Sequence, residues 1–132
     1  MPGINKIEMA RYVYMGPGLV KELPDVIKKL GYQRPRLIII TGTTKTLKIA
    51  HEKVLPLTEE VSDHVEIVSI DSNLNYLRKI DEILSRIGRG RPDLLIGVGG
   101  GRVLDATKIF SGLLALPYIC LLYTSPSPRD RG

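Results

Sequence analysis

Apolar residues in this chain come in two alternating patterns, short unbroken runs and stripes spaced three or four positions apart. The first run, Tyr12-Val13-Tyr14-Met15, predicts a short strand that ends in the turn Gly16-Pro17-Gly18. Leu19, Leu23, Val26, Ile27 and Leu30 then recur at helical spacing, and Gly31 is a natural stop. Pro24 lies early in that stripe, so the helix either starts after Leu19 or bends there. Leu37-Ile38-Ile39-Ile40 is an unbroken strand of the kind buried on both faces. After the loop Thr41-Gly42-Thr43-Thr44, the residues Leu47, Ala50 and Val54 mark a helix that Pro56 kinks or divides before Val61.

Val65, Ile67, Val68 and Ile70 predict the next strand, closed by Asp71-Ser72-Asn73. The helix that follows has the cleanest pattern in the chain. Leu74, Leu77, Ile80, Ile83, Leu84 and Ile87 make one stripe, while Arg78, Lys79, Asp81, Glu82 and Arg86 take the other face. Asn73 or Ser72 is placed to cap it, and Gly88 to end it. Gly90-Arg91-Pro92 turns the chain into a buried strand over Leu94–Val98, and a run of glycines follows. Val103, Thr107, Phe110 and Leu114 form the buried stripe of another helix, and Pro117-Tyr118-Ile119 leads into a further strand.

Strict alternation of strands and helices implies an α/β fold, a Rossmann-like doubly wound parallel sheet with helices on both faces. In such sheets ligands bind at the carboxyl ends of the strands, where the loops Thr41–Thr44 and Gly99–Asp105 both fall.

Composition narrows the classes of function. The chain has 132 residues, 43% hydrophobic and 25% charged, which suits one domain with a sizeable core. No apolar run approaches the roughly 20 residues that span a bilayer. The amino terminus carries no apolar segment of the secretory kind, and the single cysteine allows no internal disulfide. The expectation is a cytoplasmic protein without a membrane partner. The net charge of +5 comes from scattered residues such as Lys28, Arg34, Lys45, Arg78 and Arg91, interleaved with Glu22, Asp25, Asp81 and Glu82. That scatter reads as solvated helix faces rather than a nucleic-acid track.

The candidate chemistry lies in Gly97-Val98-Gly99-Gly100-Gly101-Arg102-Val103-Leu104-Asp105. Glycines between a strand and a helix bring bare backbone amides to a helix start, where an anion can approach without meeting a Cβ. They also allow a strand and helix to pack closely, and the sequence by itself leaves both explanations open. The pattern lacks the last glycine of the common dinucleotide fingerprint and the Gly-Lys-Ser/Thr ending of a Walker loop.

The full string, Gly97 to Lys108, strongly resembles the cofactor loop of the archaeal sn-glycerol-1-phosphate dehydrogenases. These share a superfamily with glycerol dehydrogenase, iron-type alcohol dehydrogenases and dehydroquinate synthase. The resemblance covers roughly Arg11 to Ile119 and is specific only at the loop. Arg102 with Asp105 and Lys108 favours the glycerol-1-phosphate branch, although Ala106-Thr107 departs from the Val-Ala more usual there. It implies that Gly99, Gly100, Gly101, Arg102, Val103, Leu104 and Asp105 contact NAD or NADP, with Gly42 and Thr43 nearer the adenosine half. Asp105 and Lys108, three apart on one helix, also fit an ordinary surface ion pair. The implied reaction reduces dihydroxyacetone phosphate to sn-glycerol 1-phosphate for membrane lipids, with a zinc polarising the reacting oxygen, in a homo-oligomer.

In that family the next strand leads into a Thr-Ala-Ala-Ser-His-Asp-Gly stretch and then a helical domain carrying the zinc ligands. Here Cys120 to Gly132 reads CLLYTSPSPRDRG, which resembles translated adapter sequence, a native disordered terminus being the alternative. The expectation is therefore a dinucleotide-binding domain over residues 1–119, truncated before the metal-binding domain, and a non-native or disordered tail over 120–132. His51 and His64 are expected to be surface residues rather than metal ligands. No catalytic residue is assigned, and the piece is expected to be inactive alone. Alternatives are the cofactor domain of a glycerol dehydrogenase or dehydroquinate-synthase-like enzyme, a stand-alone nucleotide-binding module, and a basic RNA-binding domain.

Overall fold

The computed structural model describes residues 12–87 and 91–123. Strand β1 (Tyr12–Met15) is followed by a 3-10 helix (Pro17–Glu22) that leads directly into α1 (Leu23–Lys29). Pro24 sits in the first turn of α1, where its missing N–H costs no hydrogen bond, so the α-helix starts after Leu19. Gly31 follows with φ +95°, a left-handed stop.

Strand β2 (Arg36–Thr41) runs into α2 (Lys45–Ile49), a π-helical turn (Ala50–Val54) and α3 (Leu55–Glu59). Pro56 explains the division: without an N–H and with its ring against the preceding turn, it cannot continue a regular α-helix. The wider turn before it absorbs the mismatch, and the Leu55 amide donates to the Ala50 carbonyl.

Then come β3 (His64–Ser69), α4 (Tyr76–Ile87), β4 (Leu94–Gly99), α5 (Gly101–Leu114) and β5 (Tyr118–Leu122). Two details of α4 differ from the sequence pattern. Its first turn is capped by Asn75, whose Oδ1 accepts the Arg78 amide at 3.0 Å, and not by Asn73 or Ser72. The Asn73 amide instead donates to Asp71 within the preceding turn. Of the apolar stripe, Ile83 is fully buried, whereas Leu77 is 72% exposed and Leu84 is also exposed. The expected stop at Gly88 lies outside the described residues.

All strand pairings are parallel, and the order is β1-β5-β4-β2-β3. Leu37, Ile38, Ile39 and Ile40 of β2 and Leu94, Leu95 and Ile96 of β4 have no exposed surface, as unbroken apolar runs at the centre of a sheet require. Their side chains alternate between two cores. Leu37, Ile39, Leu94 and Ile96 meet Leu23 and Ile27 of α1 and Ala50 and Val54 of the π-turn. Ile38, Ile40 and Leu95 meet Ile83 of α4 and Val103, Ala106 and Phe110 of α5. Helices thus cover both faces, and the doubly wound sheet is the fold of this chain.

Strand β5 crosses the boundary expected at 119/120. Cys120 and Leu121 are buried and paired with Gly97 and Val98, and the Tyr123 amide donates to the Gly99 carbonyl at 3.0 Å. Residues 124–132 lie outside the described residues.

Candidate functional site

The strand order fixes where the sheet opens. From β2 the chain goes to β3 on one side, and from β4 it goes to β5 on the other. Since β2 and β4 are neighbours, the connections leaving their carboxyl ends lead to opposite sides, the position at which open parallel sheets carry their ligand crevice. The two loops singled out in the sequence, after Thr41 and after Gly99, are the walls of that crevice.

On the β4 side, each glycine has its own physical reason. A Cβ on Gly97 would lie 2.4 Å from Thr107 Oγ1, so Gly97 lets α5 settle onto β4. Gly99 has φ +157°, and a Cβ there would stand 2.6 Å from Val103 Cγ2. Gly100 precedes the first residue of α5. Gly101, the first residue of α5, is exposed, and a Cβ there would meet nothing within 4 Å. Close packing therefore accounts for Gly97 and Gly99 and leaves Gly101 without an internal reason.

The first closed amide of α5 is that of Leu104, which donates to the Gly100 carbonyl at 2.9 Å. The amides of Gly101, Arg102 and Val103 make the open first turn, with the positive end of the helix dipole behind them. Arg102 and Asp105 are exposed on that turn and the next, Val103 is buried beneath Gly99, and Leu104 packs against the core. Val103 can thus offer a ligand its backbone but not its side chain. Asp105 and Lys108 are both exposed, and among the described residues no ion pair joins them.

On the β2 side, Gly42 is held at both ends. Its amide donates to Thr46 Oγ1 at 2.8 Å, and its carbonyl accepts from Thr41 Oγ1 at 2.6 Å. Thr43 and Lys45 stand exposed at the rim. Thr46 was not singled out by the sequence, because a threonine inside a helical stretch carries no pattern of its own.

Other candidate groups lie elsewhere. His51 is exposed on the π-turn, and His64 Nε2 lies 3.4 Å from Glu66 Oε2 at the β3 edge. Among the described residues no three His, Cys, Asp or Glu side chains gather into a metal-binding group. The zinc implied by the resemblance therefore finds no ligand set there. Burial pushes the Cys120 thiol up to about 12, against a weaker pull from Lys108, which keeps it a protonated core residue at neutral pH. Among the described residues no helix is long and apolar enough to cross a membrane.

Comparison with known proteins bears on the family and the fold. The family model described as iron-containing alcohol dehydrogenase matches residues 10–128. The glycerol-1-phosphate dehydrogenase [NAD(P)+] of Saccharolobus solfataricus is 34% identical over 122 residues, covering 92% of this chain and 33% of that protein. The enzyme of the same name from Pyrococcus horikoshii is 31% identical over 116 residues, covering 88% of this chain and 32% of its own length. The chain thus spans about a third of the curated relatives it matches. Among solved structures, glycerol dehydrogenase from Schizosaccharomyces pombe aligns with a TM-score of 0.57 at 20% identity, over 83% of this chain and 27% of that one. NADH-dependent butanol dehydrogenase A from Thermotoga maritima aligns at 0.55 and 19%, over 85% and 32%. These last two likenesses concern the fold.

Proposed function

We propose, from the premise that the chain belongs to the iron-containing alcohol dehydrogenase family, that it is the NAD(P)-binding part of a glycerol-1-phosphate dehydrogenase. Gly101 carries the cofactor assignment. A glycine at an exposed helix start, with open space around its absent Cβ and no positive φ, serves no packing need. Bare backbone there is explained by a phosphate that must come close. The choice among enzymes of the family rests on the resemblance of Gly97 to Lys108 and on relatives named glycerol-1-phosphate dehydrogenase.

In this reading the amides of Gly101, Arg102 and Val103 bind the diphosphate, with Gly99 and Gly100 lying against it. The exposed Arg102 guanidinium adds positive charge at the rim, and Leu104 and Asp105 complete the contact. Gly42 and Thr43 face the adenosine half across the crevice. When bound, a nicotinamide nucleotide supplies the hydride to C2 of dihydroxyacetone phosphate, whose oxygen takes a proton to give sn-glycerol 1-phosphate. What the residues described here contribute is binding and orientation. Groups that hold the triose phosphate and a zinc belong to the remaining two thirds of a protein the length of the relatives. A cytoplasmic homo-oligomer serving membrane-lipid synthesis is the whole-protein form of this proposal.

The test is nucleotide binding followed by fluorescence, with NADH and NADPH each titrated into the chain and into Gly101→Val. The native chain should bind with saturation. Gly101→Val should unfold at a similar temperature, since the new side chain enters open space, yet lose binding by tenfold or more, a penalty of about 1.4 kcal/mol or above. Absence of binding to the native chain, or undiminished binding to Gly101→Val, contradicts the proposal. Salt-sensitive RNA binding without nucleotide binding would favour the RNA-binding alternative.

A further inference from the structure

Thr46 lies between the two loops, bonded to one and facing the other. Its hydroxyl accepts the Gly42 amide at 2.8 Å on the β2 side. On the β4 side its methyl group stands beside Gly99, where a Cβ would lie 3.5 Å from Thr46 Cγ2. A Cβ on Gly42 would also come within 3.0 Å of the hydroxyl oxygen, so the approach is close on both sides. Gly42 is further tied through its carbonyl to Thr41, a fully buried residue at the end of β2.

Branching at Cβ makes this arrangement stiff. In a helix, threonine has few χ1 positions, so the hydroxyl and methyl cannot be moved independently. Holding the hydroxyl on Gly42 fixes where the methyl meets Gly99. The spacing of the two loops is thereby set by one side chain, anchored in α2 between them.

We propose that Thr46 is a positioning residue that fixes the gap between the Gly42 loop and the glycine loop for the nucleotide. The proposal rests on the cofactor assignment above. A dinucleotide contacting both loops needs their amides at a set separation, and the cost of ordering them at the moment of binding is removed by tying them beforehand.

The substitution Thr46→Val keeps the branched shape and removes the acceptor. Thr46→Ser keeps the acceptor and removes the methyl group. In the 132-residue chain, Thr46→Val should weaken NADH binding about tenfold, the scale of one lost hydrogen bond and its unpaired partner. Thr46→Ser keeps the anchor on Gly42 and gives up only the methyl contact, so it should weaken binding less than Thr46→Val. Without nucleotide, the Gly42 amide should exchange with solvent faster in Thr46→Val than in the native chain or Thr46→Ser. A purely structural role would lower the unfolding temperature without this rescue of affinity by serine. If Thr46→Val does not fold, Thr46→Ala compared with Thr46→Ser gives the same contrast.

Native affinity in Thr46→Val, alongside loss of binding in Gly101→Val, would overturn this proposal and leave the cofactor assignment standing. Weakening by serine as large as or larger than that by valine would also overturn it, since the anchor on Gly42 would then carry no more than the methyl group. Failure of NADH and NADPH to bind the native chain would overturn both.

Discussion

A single hydrogen atom at Gly97 decides how close α5 can lie to the sheet. A methyl group there would meet Thr107 Oγ1 at 2.4 Å, Thr107 Cβ at 3.2 Å and Cys120 Sγ at 3.4 Å. Thr107 cannot rotate away freely, since its hydroxyl donates to the Val103 carbonyl at 2.8 Å inside the helix. Gly97→Ala should therefore destabilise the fold by about 1–3 kcal/mol through overpacking. Adding Thr107→Ala removes the worst contact, and thermal unfolding should show that the double variant recovers part of the loss. Additive losses would mean that the contact is not the cause. Gly97 and Gly101 look alike in the sequence, as members of one glycine cluster. Only the position of Thr107, ten residues after Gly97 and folded back over the strand, separates the one needed for packing from the one that is not. The same limit hid Thr46: its bond to Gly42 is local, but its methyl group comes to face Gly99 only because β2 and β4 are neighbours.

At the scale of elements, strands and helices were legible wherever a whole side of the element is buried. The runs Leu37–Ile40 and Leu94–Val98 announce central strands because both faces meet helices. Helix α4 was legible as a helix but not in its burial. It lies against the edge strand β3 and meets only a narrow strip of sheet, so Ile83 is covered while Leu77 and Leu84 on its flank are exposed. Its opposite flank has a separate task. Arg86 donates to the Ile67 carbonyl at 2.7 Å, and is itself 3.4 Å from Glu82, which pairs with Lys79 at 3.1 Å. Since the Ile70 amide turns inward to Thr41, the alternation along β3 turns the Val65 and Ile67 backbone groups outward. An open edge of this kind invites another strand, and Arg86 occupies one of its acceptors. Arg86→Ala should cost only about 1 kcal/mol in stability, because the bond is exposed. It should nonetheless raise the rate of aggregation in light scattering, with Arg86→Lys closer to the native chain. Unchanged aggregation would show that the edge needs no such cover.

The molecule as a whole is organised by strand order, which hydrophobic runs do not encode: nothing in Leu94–Gly99 says that its neighbours are β2 and β5. That order places the two loops side by side, and among the described residues it also leaves β1 as the second sheet edge. Tyr12 and Tyr14 project from β1 on the α5 side and are 58% and 50% exposed. They stack around Tyr118, with Tyr12 at 4.7 Å between ring centroids and the Tyr14 and Tyr118 hydroxyls 2.6 Å apart. A cleft of about 680 Å³, lined by Lys108, Ser111 and Leu116 among others, runs beside them. Helix α5 covers β4 and β5 and buries Tyr118, while the rings of Tyr12 and Tyr14 stay half exposed. Two half-exposed tyrosines next to a strand edge that no other described strand pairs combine an apolar patch with open backbone groups, the two ingredients of association. The 132-residue chain should therefore sediment faster as its concentration rises. Tyr12→Lys places a charge in the patch while leaving the Tyr14–Tyr118 hydrogen bond in place, and should shift the chain toward monomer with little change in unfolding temperature. If the native chain sediments as a monomer throughout, the tyrosine face is simply solvated. If Tyr12→Lys associates as strongly as the native chain, the contact lies elsewhere, and the β3 edge guarded by Arg86 becomes the place to look.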